Sequence, residues 1–515
     1  MQQPQREPAE RLDVRLVPTA LTGWIVTAAG TVWPAGAALA ACCAVVAAAA
    51  AVLWRRVRCR PAPAAICAGL MAVGVVGAGY GMAIAVRADA VAHHPIAAAF
   101  GTVAPVTVVP SESPRPLPRG RLMFRATLQR LRDDEITGRV TVFASAADFG
   151  ESADEVMVGR SMRFTARITR PNRRDLTVAV LTATGRPEVG HAPAVYRAAH
   201  TVRGRFAAAV RRVLPTDQAA MLPALVLGDT SLVSSVTSGE FRVAGMSHLT
   251  AVSGANVTIV CAAMLLSARL VGPRPAVLLA ALALVAFVFV VQPTASVLRA
   301  AVMGAIALVA MLSSRRRQAV PALSATVLVL LVMAPQLAVD LGFALSVVAT
   351  GALVVVAPGW SRRLVGRGWP KPLADAVAVA GAAQVMTAPL VAAISGRFSL
   401  VAVLANLVVA PVVAPVTVLG TAAAALAVCW PPAAQLLIRF TGPEVWWVLH
   451  VAHWAAGVPG ASVPVPPGAA GLLVVGGATV PIIVLARRRG GRVALAWVTA
   501  GCALAWSVSA AVVPP

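Results

Sequence analysis

A small set of polar and charged side chains stands in stretches that are otherwise almost wholly apolar: Asp229, His248, Ser253, Asn256, Arg299, Asp340, Gln384, Asn406 and Glu444. A charge left unpaired in hydrocarbon is expensive, so such groups face the interior of a helix bundle or a wet cavity. The segment Gly245-Met246-Ser247-His248-Leu249-Thr250-Ala251-Val252-Ser253-Gly254-Ala255-Asn256 is the richest of these places, with small and hydroxylated residues at the mouth of an apolar run. Small residues let backbones approach closely, and a polar pore entrance has this composition. A Ser253 nucleophile with His248 as base is the sharper alternative. Five residues at ~100° each put the two side chains roughly 140° apart on one regular helix, whereas a nucleophile and its base must lie within hydrogen-bond reach. Arg299 and Asp340 carry opposite charge near the same ends of their spans, which makes an ion pair between them an expectation. His450 and His453 have helical spacing with Glu444 close by, a pattern met more often in structural pairs than in metal sites. The chain contains no Walker A sequence and no His-x-His-x-Asp-His cluster, so neither nucleotide hydrolysis by that route nor a metal nuclease is expected, and no cofactor is called for.

The elements that hold these groups follow from composition. The chain has 515 residues, a mean hydropathy of +0.79 and only 12% charged residues, against about 25% in soluble domains. That depletion requires many apolar segments of roughly 20 residues. The expectation is a polytopic α-helical membrane protein of roughly 11 to 13 spans. The net charge is +24, and Lys371 is the only lysine. Residues 18–53 form two helices divided by Pro34, and 64–86 a third. Further spans fall near 248–268, 275–291, 295–312, 320–335, 339–357, 373–393 and 493–511. Arginine-rich loops stay in the cytoplasm, which places Arg55–Arg60, Arg269/Arg274, Arg315–Arg317 and Arg362–Lys371 inside and the stretch between the third and fourth spans outside. For Arg487, Arg488 and Arg489 to be inside as well, the number of crossings after Lys371 must be even. Residues 399–430, with Pro411 and Pro415, are therefore expected to act as one broken or re-entrant unit lining a cavity. The N-terminus lacks a short hydrophobic core with a cleavage site and reads as mature. The seven cysteines all lie outside the soluble-looking stretch and form no disulfide or zinc pattern.

The soluble-looking stretch opens with a Pro-rich linker, Pro110 to Pro118, after which the periodicity becomes two. Leu122, Phe124, Ala126 and Leu128 alternate with polar residues. So do Val140 and Val142, then Met162, Phe164, Ala166 and Ile168, then Leu176, Val178 and Val180. Half-buried strands of this number and length fit a small antiparallel barrel, OB-like in size. Its other face carries Arg121, Arg125, Arg139, Arg163 and Arg167, which fits either a solvated surface or a platform for a polyanion. Next, Val195, Ala199, Val202, Phe206, Val210 and Val213 recur at helical spacing among arginines. This is a basic amphipathic helix of the kind that rests on a membrane surface. Residues 219–228, ending at Gly228-Asp229, are apolar but too short to span. The chain thus divides into N-terminal transmembrane helices (1–86), an extracellular OB-like β domain (87–190), the basic amphipathic helix (191–218) and a transmembrane channel domain (219–515).

Several ordered motifs resemble the ComEC-type competence DNA-uptake channel family: LPALVLGDTSLV (222–233), FRVAGMSHLTAVSGANVTIV (241–260), PTASVLRAAVMG (293–304), APQLAVDLGFALSVVATG (334–351) and AQVMTAPLVAAISGRFSLVAVLANLVVAPVV (383–413). The resemblance covers roughly 190–510. It implies a pore that carries one strand of transforming DNA into the cytoplasm of a bacterium. The implied partners are single-stranded DNA, membrane lipids, an outer DNA receptor, a pilus apparatus and a cytoplasmic ATP-driven motor, and homo-oligomeric assembly is compatible with it. Residues implied to line or shape the pore are Gly228, Asp229, His248, Ser253, Gly254, Asn256, Arg299, Asp340, Gly342, Phe343, Ser346, Gln384, Asn406 and Pro411, with no catalytic role for any. Many members have His at the position of Asn256, and many carry a C-terminal metallo-β-lactamase-like domain, which is expected to be lacking here since the sequence ends four residues after Ala511. A permease for another anion, such as a lipid or glycan intermediate, would share the polar bundle but not need the arginine-faced barrel. The intramembrane hydrolase with Ser253 is the third alternative.

Overall fold

The structure is a computed structural model that describes residues 13–149, 156–250, 252, 254–268, 272–292, 294–312 and 319–487. It is mostly helical. Helices α1 to α3 run over Val17–Val32, Gly36–Val57 and Pro61–Ala92, and after the barrel α4 (Ala146–Phe149), α5 (Ala194–Val213), α6 (Thr216–Leu227), α7 (Ser235–Val243) and α8 (Ser247–Thr250) are short or amphipathic. The apolar series continues with α9 (Gly254–Ala268), α10 (Pro273–Val291), α11 (Ala295–Leu312), α12 (Ala319–Met333), α13 (Leu341–Gly351), α14 (Ala357–Val365), α15 (Lys371–Ser395), α16 (Ala402–Cys429), α17 (Pro431–Gly457) and α18 (Ala469–Arg487). Among the described residues, six helices are long and apolar enough to cross a bilayer and five shorter ones are apolar. The chain is a multi-pass membrane protein. The expected span 493–511 and the loop Arg315–Arg317 lie outside the described residues.

The chain separates into two compact units, one formed by residues 1–209, 252–344 and 421–435 and the other by 210–251, 345–420 and 436–515. In the first, Pro34 divides α1 from α2 as the sequence requires, because a proline ring cannot continue the helix before it. Helices α2 and α3 meet along glycines. A Cβ on Gly74 would lie 2.7 Å from Ala47 N, and one on Gly81 2.8 Å from Ala40 N, so the backbones touch directly, which is how helices associate in lipid.

The barrel belongs to this first unit. Strands β1 (Val103–Pro110), β2 (Arg115–Leu117), β3 (Arg121–Leu131), β4 (Asp134–Ser145), β5 (Met162–Thr169) and β6 (Ala179–Val189) form a sheet of order β1-β5-β6-β4-β3-β2, closed by a β1–β3 pairing. All pairs are antiparallel except β4 with β6. The period-two reading holds: along β5, Met162, Phe164, Ala166 and Ile168 are buried and Arg163, Thr165 and Arg167 exposed. They join Phe124, Leu128, Val142, Phe149 and Leu181 in one core. Two strand positions differ from expectation. The linker expected over Pro110 to Pro118 holds the end of β1 and the short β2, and β1, which the sequence reading did not assign, pairs with both β3 and β5. The last strand begins at Ala179 because Leu176 takes a left-handed turn conformation (φ 63°).

The barrel contacts one end of the first unit's membrane helices. Arg174 donates to the Val32 carbonyl at the end of α1, Ser113 to the Gln292 side chain between α10 and α11, and Arg125 faces Asp340 after α12. Arg55, Arg56, Arg58 and Arg60 follow α2, and Arg274 opens α10, at the opposite helix ends. Helix α5 does not lie with its apolar face free for lipid. Phe206 and Val210 are fully buried, Tyr196 packs edge-on against Phe289, and Arg203 donates to the Val290 carbonyl. Protein covers the stripe that was expected to rest on the membrane.

In the second unit, α13 passes into a π-helical turn at Ala352–Val356 before α14, where Pro358 removes a backbone donor and crowds the preceding turn. Helix α16 corrects the expectation of a break at Pro411–Pro415. It is one unit, but helical throughout its 28 residues. The two prolines are four apart on one exposed face, where the carbonyls that lose their donors need no partner from the protein interior and the helix runs on uninterrupted. Four helices, α15 to α18, lie between Lys371 and Arg487, and of these α15 and α16 are long and apolar enough to cross a bilayer.

Candidate functional site

The densest polar site is a turn in the second unit. Helix α7 begins at Ser234, whose side chain accepts from the Thr237 amide. It ends where Gly245 adopts φ +69°, with Gly245 N bonded to the Arg242 carbonyl and Met246 N to the Phe241 carbonyl. This is a Schellman closure, and its usual apolar pair is present in Phe241 and Met246, both buried. Only glycine fits: besides the positive φ, a Cβ would stand 2.4 Å from the Cβ of Ala402.

The carbonyls left over at this helix end are claimed from distant segments. Ser399 Oγ donates to the Val243 carbonyl at 2.7 Å. Asn406 Nδ2 donates to the Gly245 carbonyl at 3.3 Å and to Ala402 O at 2.8 Å. The His248 ring also meets the Gly245 carbonyl, while its outer edge stays exposed. Gln384 Nε2 reaches the Ser399 carbonyl at 3.4 Å. Ser399 is fixed in turn by the short ladder Arg397–Ser399 against Ser462–Pro464. Segments more than 150 residues apart thus converge on one turn.

Sequence reasoning found His248, Gln384 and Asn406 but missed Ser399 and the Gly245 carbonyl. It also paired the wrong acid with the histidines. His453 Nδ1 lies 2.7 Å from Glu240 of α7, and His450 stacks on Trp446. Nothing in the sequence signals a partner 213 positions away. Glu444 Oε2 is enclosed with no hydrogen-bond partner among the described residues. Gly228 ends α6 in a left-handed conformation (φ 70°), and Asp229 Oδ1 accepts from the Ser231 amide and hydroxyl. Helix α6 is buried from Met221 to Leu227 and meets α16 at Gly420, where a Cβ would lie 2.3 Å from Val226. Pro411 sits on the exposed face of α16. Ser253 lies outside the described residues, and with it the geometry of the hydrolase alternative.

In the first unit the expected residues form two groups. Arg299 is 6% exposed and its Nη2 packs over Gly254, where a Cβ would come within 2.6 Å; its Nη1 points to Met303 Sδ at 3.4 Å. Asn256 is buried nearby in sequence on α9. Asp340 meets a different cation from the one expected. Arg125 of the barrel approaches it at 3.9 Å and Glu112 at 3.0 Å, while Asp340 Oδ1 also caps the Phe343 amide at 2.8 Å. Burial works against the charge on Arg125, but Glu112, Asp340 and Asp175 outweigh it and raise its pKa. Arg139 is the reverse case. Burial first, and then Arg125, hold its guanidinium below the ordinary value. Its Nη1 is enclosed with no acceptor among the described residues. The five arginines of the barrel therefore separate. Arg121, Arg163 and Arg167 are exposed, with Arg121 stacked 5.2 Å over Phe143, whereas Arg125 and Arg139 belong to the docked, partly buried side.

Six helices long and apolar enough to cross a bilayer, a polar turn built from distant segments in the second unit and a small barrel in the first define a multi-pass membrane protein. The family model described as "Competence protein" matches residues 225–490, more than half of the chain and all of the Gly245 site, and the chain belongs to that family. Searches of curated proteins and of solved structures returned no significant match.

Proposed function

We propose that this protein carries single-stranded DNA across the bacterial cell membrane into the cytoplasm during natural transformation, with the barrel as an extracellular, OB-like collecting domain. The observation that carries this reading is the convergence of Gln384, Ser399, Asn406 and His248 on the Gly245 turn, since all lie in the segment matched by the competence family. The strand order supports the OB-like assignment. Leaving out the short β2, the ring runs first-fourth-fifth-third-second with one parallel pair, as in OB barrels that bind single strands. Orientation follows from the arginine loops at the helix ends opposite the barrel, which belong in the cytoplasm. Arg121, Arg163 and Arg167 supply the exposed cationic face, and binding through them releases counterions from the strand. The chain acts as a passage, not an enzyme. An outer DNA receptor, a pilus apparatus and a cytoplasmic ATP-driven motor deliver and pull the strand.

The test is uptake of labelled DNA into the cytoplasm of the native host. Wild type is compared with a clean deletion and with His248→Ala. Loss in both, with surface binding of DNA intact, is expected. Unchanged uptake in the deletion, in a host shown to be transformable, contradicts the assignment.

A further inference from the structure

A groove of about 630 Å³ runs between α10 and α11 in the first unit. Its walls are Val277, Ala281, Leu284, Ala305 and Leu308, and Arg274 stands at its mouth. Arg274 and Leu284 are ten residues apart on one helix, about 15 Å along the axis. That is half of a hydrocarbon core about 30 Å thick, or one leaflet. The mouth lies at the helix end away from the barrel. The sequence offers Arg274 no acidic neighbour, since no Asp or Glu occurs between Glu240 and Asp340.

We propose that this groove holds one anionic phospholipid, with an acyl chain along Ala281 and Ala305 and its phosphate on Arg274. Charge decides between this occupant and the chain's own alternatives. The C-terminal segment 488–515 is apolar enough to fill a groove, but it carries Arg488, Arg489 and Arg492 and no acidic residue. A second copy packed by the same face would bring a second Arg274 into the interface, because a two-fold interface uses the same patch on both subunits, and would add positive charge without supplying a negative partner from this patch. A phosphodiester headgroup supplies the missing negative charge at the right depth, and basic residues at the cytoplasmic surface attract such lipids. The small side chains of Ala281 and Ala305 leave the width an acyl chain needs.

The full-length protein, purified in mild detergent, is offered phosphatidylglycerol or phosphatidylcholine of identical acyl chains, and retained lipid is counted by native mass spectrometry. Wild type is expected to retain phosphatidylglycerol in preference by ~5-fold, the worth of one basic contact near a membrane surface. Arg274→Gln is expected to erase the preference, Arg274→Lys to keep it, and Ala305→Phe to lower retention of both lipids. Arg274 is exposed, so its replacement leaves the fold intact, which an unchanged Tm verifies. Equal retention of the two lipids by wild type, or an undiminished preference in Arg274→Gln, overturns the proposal. So does efficient disulfide formation between Ala281→Cys and the native Cys502, which would show that the chain covers its own groove.

Discussion

The carbonyl of Gly245 gathers the side chain of Asn406 and the ring of His248, and the carbonyl two residues earlier takes the hydroxyl of Ser399. Helix ends always leave such acceptors, and here they organise four separate segments. Gly245→Ala is expected to destabilise the protein by more than about 1 kcal/mol, since alanine resists a positive φ and its Cβ meets Ala402. Thermal unfolding in nanodiscs reads this directly, and a Tm equal to wild type would contradict the tight turn. His248, Gln384 and Asn406 were legible because a polar side chain inside an apolar helix must answer to another polar group. Ser399 was not, because a serine beside a glycine-ended helix reads as an ordinary loop residue until the partner carbonyl is seen. Arg299 and Asp340 were recognised singly, but the ion pair expected between them is not the one that Asp340 makes. Opposite charge at similar depth allows a bond without specifying it, and Asp340 went to a barrel arginine.

At the scale of elements, apolar periodicity located nearly every helix, because each span must be long and continuous in one chemistry. Proline was a partial guide. Pro34 divides two helices as expected, whereas Pro411 and Pro415 ride on the outside of an unbroken one, and Pro110, expected in a linker, closes a paired strand. Helix α5 shows how amphipathicity names a buried face without naming what buries it. One contact fixing it to the barrel is His200, whose ring bonds the Val158 carbonyl at 3.2 Å. Burial, aided by Arg203 and Arg160, holds the His200 pKa below its ordinary value despite the opposing effect of that carbonyl. A depressed folded-state pKa means that the unfolded state binds the proton more readily. The contribution of His200 is therefore present above the ordinary pKa of about 6.5 and is lost as pH falls through the folded-state value. Amide protection factors in residues 194–213, exchange rates taken relative to the unstructured rate at the same pH, are expected to be lower at pH 5 than at pH 7.5. His200→Gln should flatten that difference, and equal protection factors at both pH values would contradict it.

For the whole molecule, the sequence announced membrane, barrel and basic face separately. The structure adds which arginines are committed to docking the barrel and which remain on its surface. With Arg121, Arg163 and Arg167 replaced by Gln, binding of single-stranded DNA to the full chain should weaken. The slope of log affinity against log salt should flatten by roughly 2, at about 0.7 per phosphate contact on a single strand. An unchanged slope would mean that the strand is collected elsewhere.

The central claim is that DNA passes the Gly245 turn. A photo-crosslinking amino acid placed at His248 in otherwise wild-type cells, activated while end-labelled DNA is being taken up, tests it most directly, with the same group at Leu278 on the lipid-facing side of α10 as control. The account predicts crosslinks to single-stranded DNA from position 248 and none from 278. Active uptake with no crosslink from 248, or equal crosslinking from both positions, would contradict it.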